Sequence, residues 1–321
     1  MPTTNLLAFK QTLRSAMITM IGDIRTEAFK ITTPEVNTEA YLKKVDLDGA
    51  ANFTAQTSAA VPTASIMRAF SSTSNPAVYE ENIPLLESEI RNWEQTAPAT
   101  AQKIVERAWG HWTDDLFTLV FGGRTVAHPE NGVSGTPYAA NGGGTIYYYD
   151  NFDMTSLNTA TAFTQTNDHT LSLTATNLRT LLNKRMSYKD RDNKAHAPRN
   201  QRPVLCVVPD LAGTAKNFFR QQSQMYNGAG LQEGFADELL DVAVAPRAAT
   251  AETDAWALVW VTDKMTERGA VRSSPFLSHI RALPTLRIDP QPGGGYYNLY
   301  CAFEYDNSLH PWEGDVFFSQ P

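Results

Sequence analysis

Between Val78 and Gly123 the pattern of apolar and polar positions changes from extended to helical. The segment from Val78 to Glu87 has no helical repeat, whereas Val105, Trp109, Trp112, Leu116 and Leu119 recur at spacings of four, three, four and three. That period lays one apolar stripe, carrying two indoles, along a single helix face. Pro98 suits a first turn, where N–H groups have no partner in the helix, and Gly122 with Gly123 supplies a left-handed stop. A helix from Pro98 to Phe121 would be about 36 Å long at roughly 1.5 Å per residue, the spine of a flat subunit.

Elsewhere the periodicity is weaker. Leu6, Leu7, Phe9, Leu13, Met17, Met20 and Ile21 trace a loose helical pattern, an amphipathic arm whose apolar face another chain could complete. From Thr38 to Pro76 the composition turns to Ala, Thr, Ser and Asn, with Lys43, Lys44, Asp46 and Asp48 at its entry. Such a segment cannot bury enough apolar surface to fold alone, so it is either a linker or a long loop ordered against neighbouring subunits. Residues 126–144 are rich in Gly, Pro and Asn and predict an irregular junction, followed by a β-forming stretch from Ile146 to Asp150. Thr174 predicts an N-cap for a helix bearing Leu178, Leu181, Leu182 and Met186. Pro203 to Pro209 predicts a buried strand, with Asp210 as cap for a helix from Ala212 to about Gln222 that buries Ala215 and Phe218 or Phe219. Leu239 to Ala245 and Ala255 to Val261 predict two more strands of a helix-flanked sheet. Tyr297 to Tyr305 and Asp315 to Ser319 close in antiparallel strands. The class is α+β with at least two lobes.

At 321 residues and 42% hydrophobic content the chain can bury a substantial core. A net charge of −7 argues against a surface whose main task is to grip phosphates. Two cysteines, Cys206 and Cys301, are too few for a disulfide framework, which fits folding in a reducing cytoplasm. No apolar run has the length of a membrane span, and the first residues lack the charged and apolar regions of a signal peptide.

Candidate chemistry is thin. Gly142 to Thr145 lacks the lysine of a phosphate loop and precedes a strand instead of a helix. His111, Asp114 and Asp115 share helical spacing on the polar side of the spine, where a solvated face competes with a metal site. No nucleophile elbow, His-Glu-x-x-His or Cys-x-x-Cys is present. The stretch from Lys184 to Arg202 carries Lys184, Arg185, Lys189, Arg191, Lys194, Arg199 and Arg202, with Tyr188 its only aromatic. That suits solvation or charge neutralisation against a neighbouring subunit better than stacking on single strands. No enzyme activity, cofactor or metal is expected.

Six segments carry a collinear resemblance: Val78 to Ile90 with the helix to Gly123, Ile146 to Phe152, Leu173 to Leu178, Pro203 to Leu211, Asp254 to Leu258, and Tyr297 to Phe318. In this order they resemble the major capsid proteins of tailed phages with the Hong Kong 97 fold, and among those the major head subunit of Mu-like phages. The resemblance implies an N-terminal arm at 1–41, an extended loop at 42–88, a peripheral domain at 89–130 and 283–321 carrying the spine helix, and an axial domain at 131–282. It implies self-assembly into the pentamers and hexamers of an icosahedral head around double-stranded DNA, touched weakly and without sequence preference. Implied partners are a portal and scaffolding or decoration proteins, with no membrane; assembly would occur in the bacterial host cytoplasm and the product would be the virion capsid. The subunit-contact residues expected are Leu42, Lys43, Lys44, Asp46, Asp48, Phe53, Phe70, Tyr79, Arg185, Lys189 and Arg191. The Ala/Thr/Ser-rich segment from Ala50 to Pro76 and the glycine-rich stretch before Ile146 depart from the family pattern, and no motif carries over the Lys–Asn cross-link of some members. Two other readings stand beside it: an encapsulin-type compartment shell, and an α/β enzyme built on the sheet from Val204 to Val261.

Overall fold

The computed structural model describes residues 3–23, 25–39, 42–48, 68–125, 138–140, 147–149, 151–155, 162–189, 201–220, 225–226, 231–232, 235, 237–266, 269–290, 296–309 and 316–321. Five α-helices lie among them: α1 (Thr3–Asp23), α2 (Glu87–Arg91), α3 (Trp93–Gly122), α4 (Ala175–Met186) and α5 (Ala212–Arg220).

Helix α3 has 30 residues, about 45 Å at 1.5 Å per residue, and starts earlier than Pro98 predicts. Pro98 therefore sits past the first turn and leaves the α3 ladder one hydrogen bond short. Two residues earlier, the Thr96 hydroxyl lies within hydrogen-bond reach of the carbonyls of Asn92 and Glu89 and ties α2 to α3. The buried stripe includes Val105, Trp109, Trp112 and Leu116, as the spacing predicts; Phe117 and Val120 widen it, while Leu119 is only half-buried. Trp109 and Trp112 meet edge to face at 5.2 Å, and Phe29 packs on both. Helix α1 lies on α3 and buries Phe9, Leu13 and Met17, one residue per turn.

The glycine stop works differently from the left-handed turn expected. Gly123 has φ −59° and ψ −16°, an ordinary helical conformation. What requires glycine is the Tyr149 ring: a Cβ on Gly123 would lie 2.5 Å from its Cε2 atom. Tyr149 donates its hydroxyl to the Val120 carbonyl at 2.9 Å and stacks on Phe318 at 5.2 Å, so the end of the spine is keyed into the sheet beyond it.

One face of α3 covers a four-stranded sheet ordered Glu35–Val36, Phe276–Pro290, Tyr296–Leu309, Ala77–Leu86. Strand Tyr296–Leu309 alternates, turning Cys301, Phe303 and Tyr305 into the core. Fully buried Trp112 donates its indole N–H to Ser278 Oγ at 2.7 Å, satisfying a polar atom that burial would otherwise penalise.

The second large sheet is ordered Asp241–Val244, Arg202–Val207, Trp256–Thr266, Val316–Ser319, Asp168–His169, with Gly269–Ser273 paired to Trp256–Thr266. It is buried on both faces, which explains the near-continuous apolar runs of its strands. Val204, Cys206, Ala257, Val259 and Phe318 face the core shared with α3. Leu205, Val207, Trp256, Leu258, Trp260 and Phe317 face a second core that includes Leu178 and Leu181 of α4 and Ala215 of α5. Strand Val316–Ser319 joins this sheet, antiparallel to Trp256–Val259 and parallel to Asp168–His169, instead of closing beside Tyr296–Leu309. Thr174 caps α4 as expected, its hydroxyl accepting from the Asn177 N–H at 3.2 Å. Asp210 is not a cap: it lies in a one-turn 3₁₀ helix, Pro209–Leu211, and accepts from Arg247 at 2.8 Å.

Candidate subunit-contact surfaces

Leu42–Asp48 and Arg68–Ser74 form an antiparallel ribbon, in register from Leu42 opposite Ser74 to Asp48 opposite Arg68. Leu42, Lys43, Lys44, Asp46 and Asp48 lie on one strand and Phe70 on the other, opposite Asp46. Among the described residues the ribbon pairs with no further strand. An isolated two-stranded ribbon is marginal in water and needs a surface to lie on.

Its two legs are rooted on one rung of the four-stranded sheet. On the first leg, Asn37 Oδ1 meets His279 Nε2 at 2.8 Å and accepts from the Glu39 N–H at 3.1 Å, while the Asn37 N–H donates to the Ile280 carbonyl. On the second, the Asn75 N–H donates to Asp306 Oδ2 at 3.1 Å. His279 and Asp306 are cross-strand partners. None of these four residues stands out in the sequence, because only the strand register brings them together.

Ala77–Leu86 is the edge strand of that sheet, with Val78 56% exposed and Tyr79 38% exposed. Tyr79 stacks on Tyr305 at 4.6 Å and packs on His111 at 4.7 Å. The Tyr305 hydroxyl donates to Asp115 and lies against His111 Nδ1; His111 and Asp115 are 3.5 Å apart. Burial, and then the Asp115 carboxylate, hold the Tyr305 phenol well above its usual range, so it stays protonated. Tyr79 is raised by burial first and by Asp115 and Asp306 second; Asp114 is raised by burial, against the pull of His111. His111 and Asp115 thus anchor a tyrosine from the sheet, and no metal-ligating group of three or more His, Cys, Asp or Glu exists among the described residues. Beside this cluster a groove of about 410 Å³ runs between α3 and the edge strand, lined by Val78, Tyr79, Ile104, Arg107, Cys301 and Phe303. Burial pushes the Cys301 thiol up to about 11, which makes it a poor nucleophile.

Arg185 corrects the expectation of a surface contact. It is fully buried in the last turn of α4, its guanidinium 5.8 Å from the Trp260 ring and Nη2 3.5 Å from Gln201 Oε1. Its stem and planar head pack like a core side chain. Lys189 is half-buried, its main chain bracketed by the Gln165 amide through two 2.6 Å hydrogen bonds and its ammonium 5.8 Å from the Phe163 ring. Phe53 and Arg191 lie outside the described residues.

No protein-family model matches this chain, and a search of curated proteins finds no match either. Solved structures do match. The crystal structure of a virus-like particle from Pyrococcus furiosus aligns with a TM-score of 0.50 at 9% identity, over 97% of this chain and 98% of that one. The procapsid of bacteriophage JBD30 aligns with a TM-score of 0.50 at 10% identity, over 100% of this chain and 76% of that one. At such identities the likeness is one of fold: the chain has the mixed α+β, Hong Kong 97-type capsid architecture.

Proposed function

We propose that this chain is the major capsid subunit of a tailed double-stranded DNA phage, assembling through pentamers and hexamers into an icosahedral head. One observation carries the reading: among the described residues the same chain offers a β-ribbon that joins no larger sheet and, at Ala77–Leu86, an open sheet edge. Unpaired strand edges invite pairing with another chain. A contact between two different patches of one subunit is heterologous, and repeated about a rotation axis it generates rings. The likeness to the JBD30 procapsid supports the phage assignment, and the net charge of −7 suits a wall that does not hold packed DNA tightly. A portal and scaffolding or decoration proteins would complete the head, which would assemble in the host cytoplasm. Contacts between copies, not turnover, would be the chain's work.

An encapsulin-type compartment is the second reading, favoured by the match to the virus-like particle across nearly its whole chain. Negative-stain microscopy of the expressed chain tests the common premise: regular polyhedra or capsomers are expected, and a lone monomer at high concentration would overturn it. Nucleic acid inside purified particles selects the phage head; enzyme cargo selects the compartment. Deleting residues 50–76 is expected to leave a soluble subunit that forms no stable shell, and normal particles from that deletion would remove the role given to the ribbon.

A further inference from the structure

The two large sheets end in edges of different kinds. Among the described residues Asp241–Val244 is the last strand of the second sheet, paired in parallel on one side with Arg202–Val207. Successive residues of a strand turn their N–H and C=O groups to opposite edges. The Ala245 N–H donates inward, to the Val207 carbonyl, so Val242 and Val244 present their polar groups outward. Side chains occupy three of those outward groups. The Val244 N–H donates to Glu27 Oε2 at 2.9 Å, the Lys30 ammonium donates to the Val242 carbonyl at 2.8 Å, and the Val242 N–H donates to Asp241 Oδ1 at 2.7 Å. Lys30 Nζ also lies 3.0 Å from Glu27 Oε2 and 3.7 Å from Asp241 Oδ1, so the charges that hold the edge also hold one another. By contrast, the first four residues of the edge strand Ala77–Leu86 are exposed.

Glu27 and Lys30 belong to a one-turn 3₁₀ helix whose place is set by other contacts. Phe29 packs on Trp109 and Trp112 of α3, and the Thr26 and Thr113 hydroxyls meet at 2.9 Å. The Thr32 hydroxyl donates to the Phe276 carbonyl at 3.2 Å, and the Thr33 N–H donates to the Arg272 carbonyl at 3.0 Å. The turn is thus carried to the sheet edge by groups other than its charged heads. We propose that Glu27–Lys30 is an autoinhibitory strap, which keeps Asp241–Val244 from pairing with a strand of a second copy of this chain. An incoming strand would have to displace an ammonium and two carboxylates, and charges laid on an edge oppose edge-to-edge pairing. Strand addition is thereby confined to the open edge at Ala77–Leu86. Only the identity of the excluded strand, a second copy, rests on the shell reading above.

The double variant Glu27→Met/Lys30→Met of the full chain keeps both stems and removes both charged heads. In dilute solution, hydrogen exchange at Val244, read by mass spectrometry over residues 239–247, is expected to speed up about tenfold, because its bond to a carboxylate is lost. Sedimentation velocity over a concentration series should then show the variant associating at about tenfold lower concentration than the wild type, with protection at residues 239–247 regained in the associated fraction. Val244→Pro in the same background removes the outward N–H and should abolish the added association. Thermal melting checks that each variant folds. If the double variant does not, the single Lys30→Met, which frees only the Val242 carbonyl, must still show part of the added association; if the proline variant does not, the regained protection decides. Unchanged exchange, faster exchange without added association, or association without protection at residues 239–247 overturns the strap. Shell formation by the wild type is scored separately by microscopy. Edge-dependent association of the variant of a chain that forms no shells removes the shell reading alone, and shells from a chain whose variant associates no further remove the strap alone.

Discussion

Replacing Gly123 by Ala isolates how the spine helix is keyed to the sheet beyond it. On backbone grounds alone the change should help, because φ −59° and ψ −16° suit alanine and a less flexible unfolded chain is worth about 0.4–1 kcal/mol. The new Cβ, however, would lie 2.5–2.7 Å from three atoms of the Tyr149 ring, where carbon contacts prefer about 3.5–4.0 Å. The ring would have to retreat by roughly 1 Å. It has little freedom to do so: its hydroxyl is bonded to the Val120 carbonyl and its face stacks on Phe318 at an interplanar angle of 8°. Losing the hydrogen bond costs about 1 kcal/mol and disturbing the stack about 0.5–1.5 kcal/mol, with further cost from crowding a packed core. A net destabilisation of about 2 kcal/mol is expected, read from urea unfolding of the soluble subunit by tryptophan fluorescence. Gly122→Ala is the internal control, because nothing lies within 4 Å of its added carbon. In a Tyr149→Leu background the Gly123→Ala penalty should largely vanish, as a double-mutant cycle requires of a direct clash. If Gly123→Ala unfolds no more readily than Gly122→Ala, the glycine is not there for the ring.

Trp112→Phe removes the indole donor to Ser278 while keeping an aromatic body, and a loss of about 1–3 kcal/mol is expected by denaturant titration. His169 is near pKa 4 in the fold against about 6.5 unfolded, so the unfolded state binds more protons between these values. Its stabilising contribution is complete above pH 6.5 and falls away as the pH drops towards 4; discounted for partial exposure it amounts to about 2 kcal/mol, and His169→Gln should lose that part of the pH slope in unfolding measured from pH 7 to 4. Asp306→Ala removes one leg of the ribbon's root, so shell yield by sedimentation should drop while the melting temperature of the unassembled subunit changes little.

Local pattern reached far into this fold. The stripe through Trp109 and Trp112, the Thr174 cap and the doubly buried strand at Arg202–Val207 all follow from period, capping chemistry and apolar continuity, properties that neighbours in sequence express by themselves. The root of the ribbon does not: Asn37, Asn75, His279 and Asp306 come from four separate segments and acquire meaning only through register. Gly123 was visible as a helix stop, yet its cause is a ring supplied by Tyr149, which the local pattern around the glycine does not announce. Arg185 misleads for a different reason, since in a run of cations a charge reads as solvent-facing unless the aromatic face it covers, here Trp260, is already known. The Tyr79–Tyr305–His111–Asp115 cluster was half legible: the helix spacing brings His111 and Asp115 together, but the tyrosines that give the pair its role arrive from two strands.

The position of Val316–Ser319 also sets a timetable. This short strand sits inside its sheet, between Trp256–Val259 and Asp168–His169, and its Phe317 and Phe318 fill the two cores on either side. Until it emerges from the ribosome the preceding strands leave an open slot, with hydrophobic walls exposed on both sides of the gap. Closure therefore comes late in biogenesis and depends on contacts of long sequence separation, the slow kind. A chain interrupted before this insertion would leave apolar surfaces incompletely sealed, an aggregation hazard for as long as the slot stays empty.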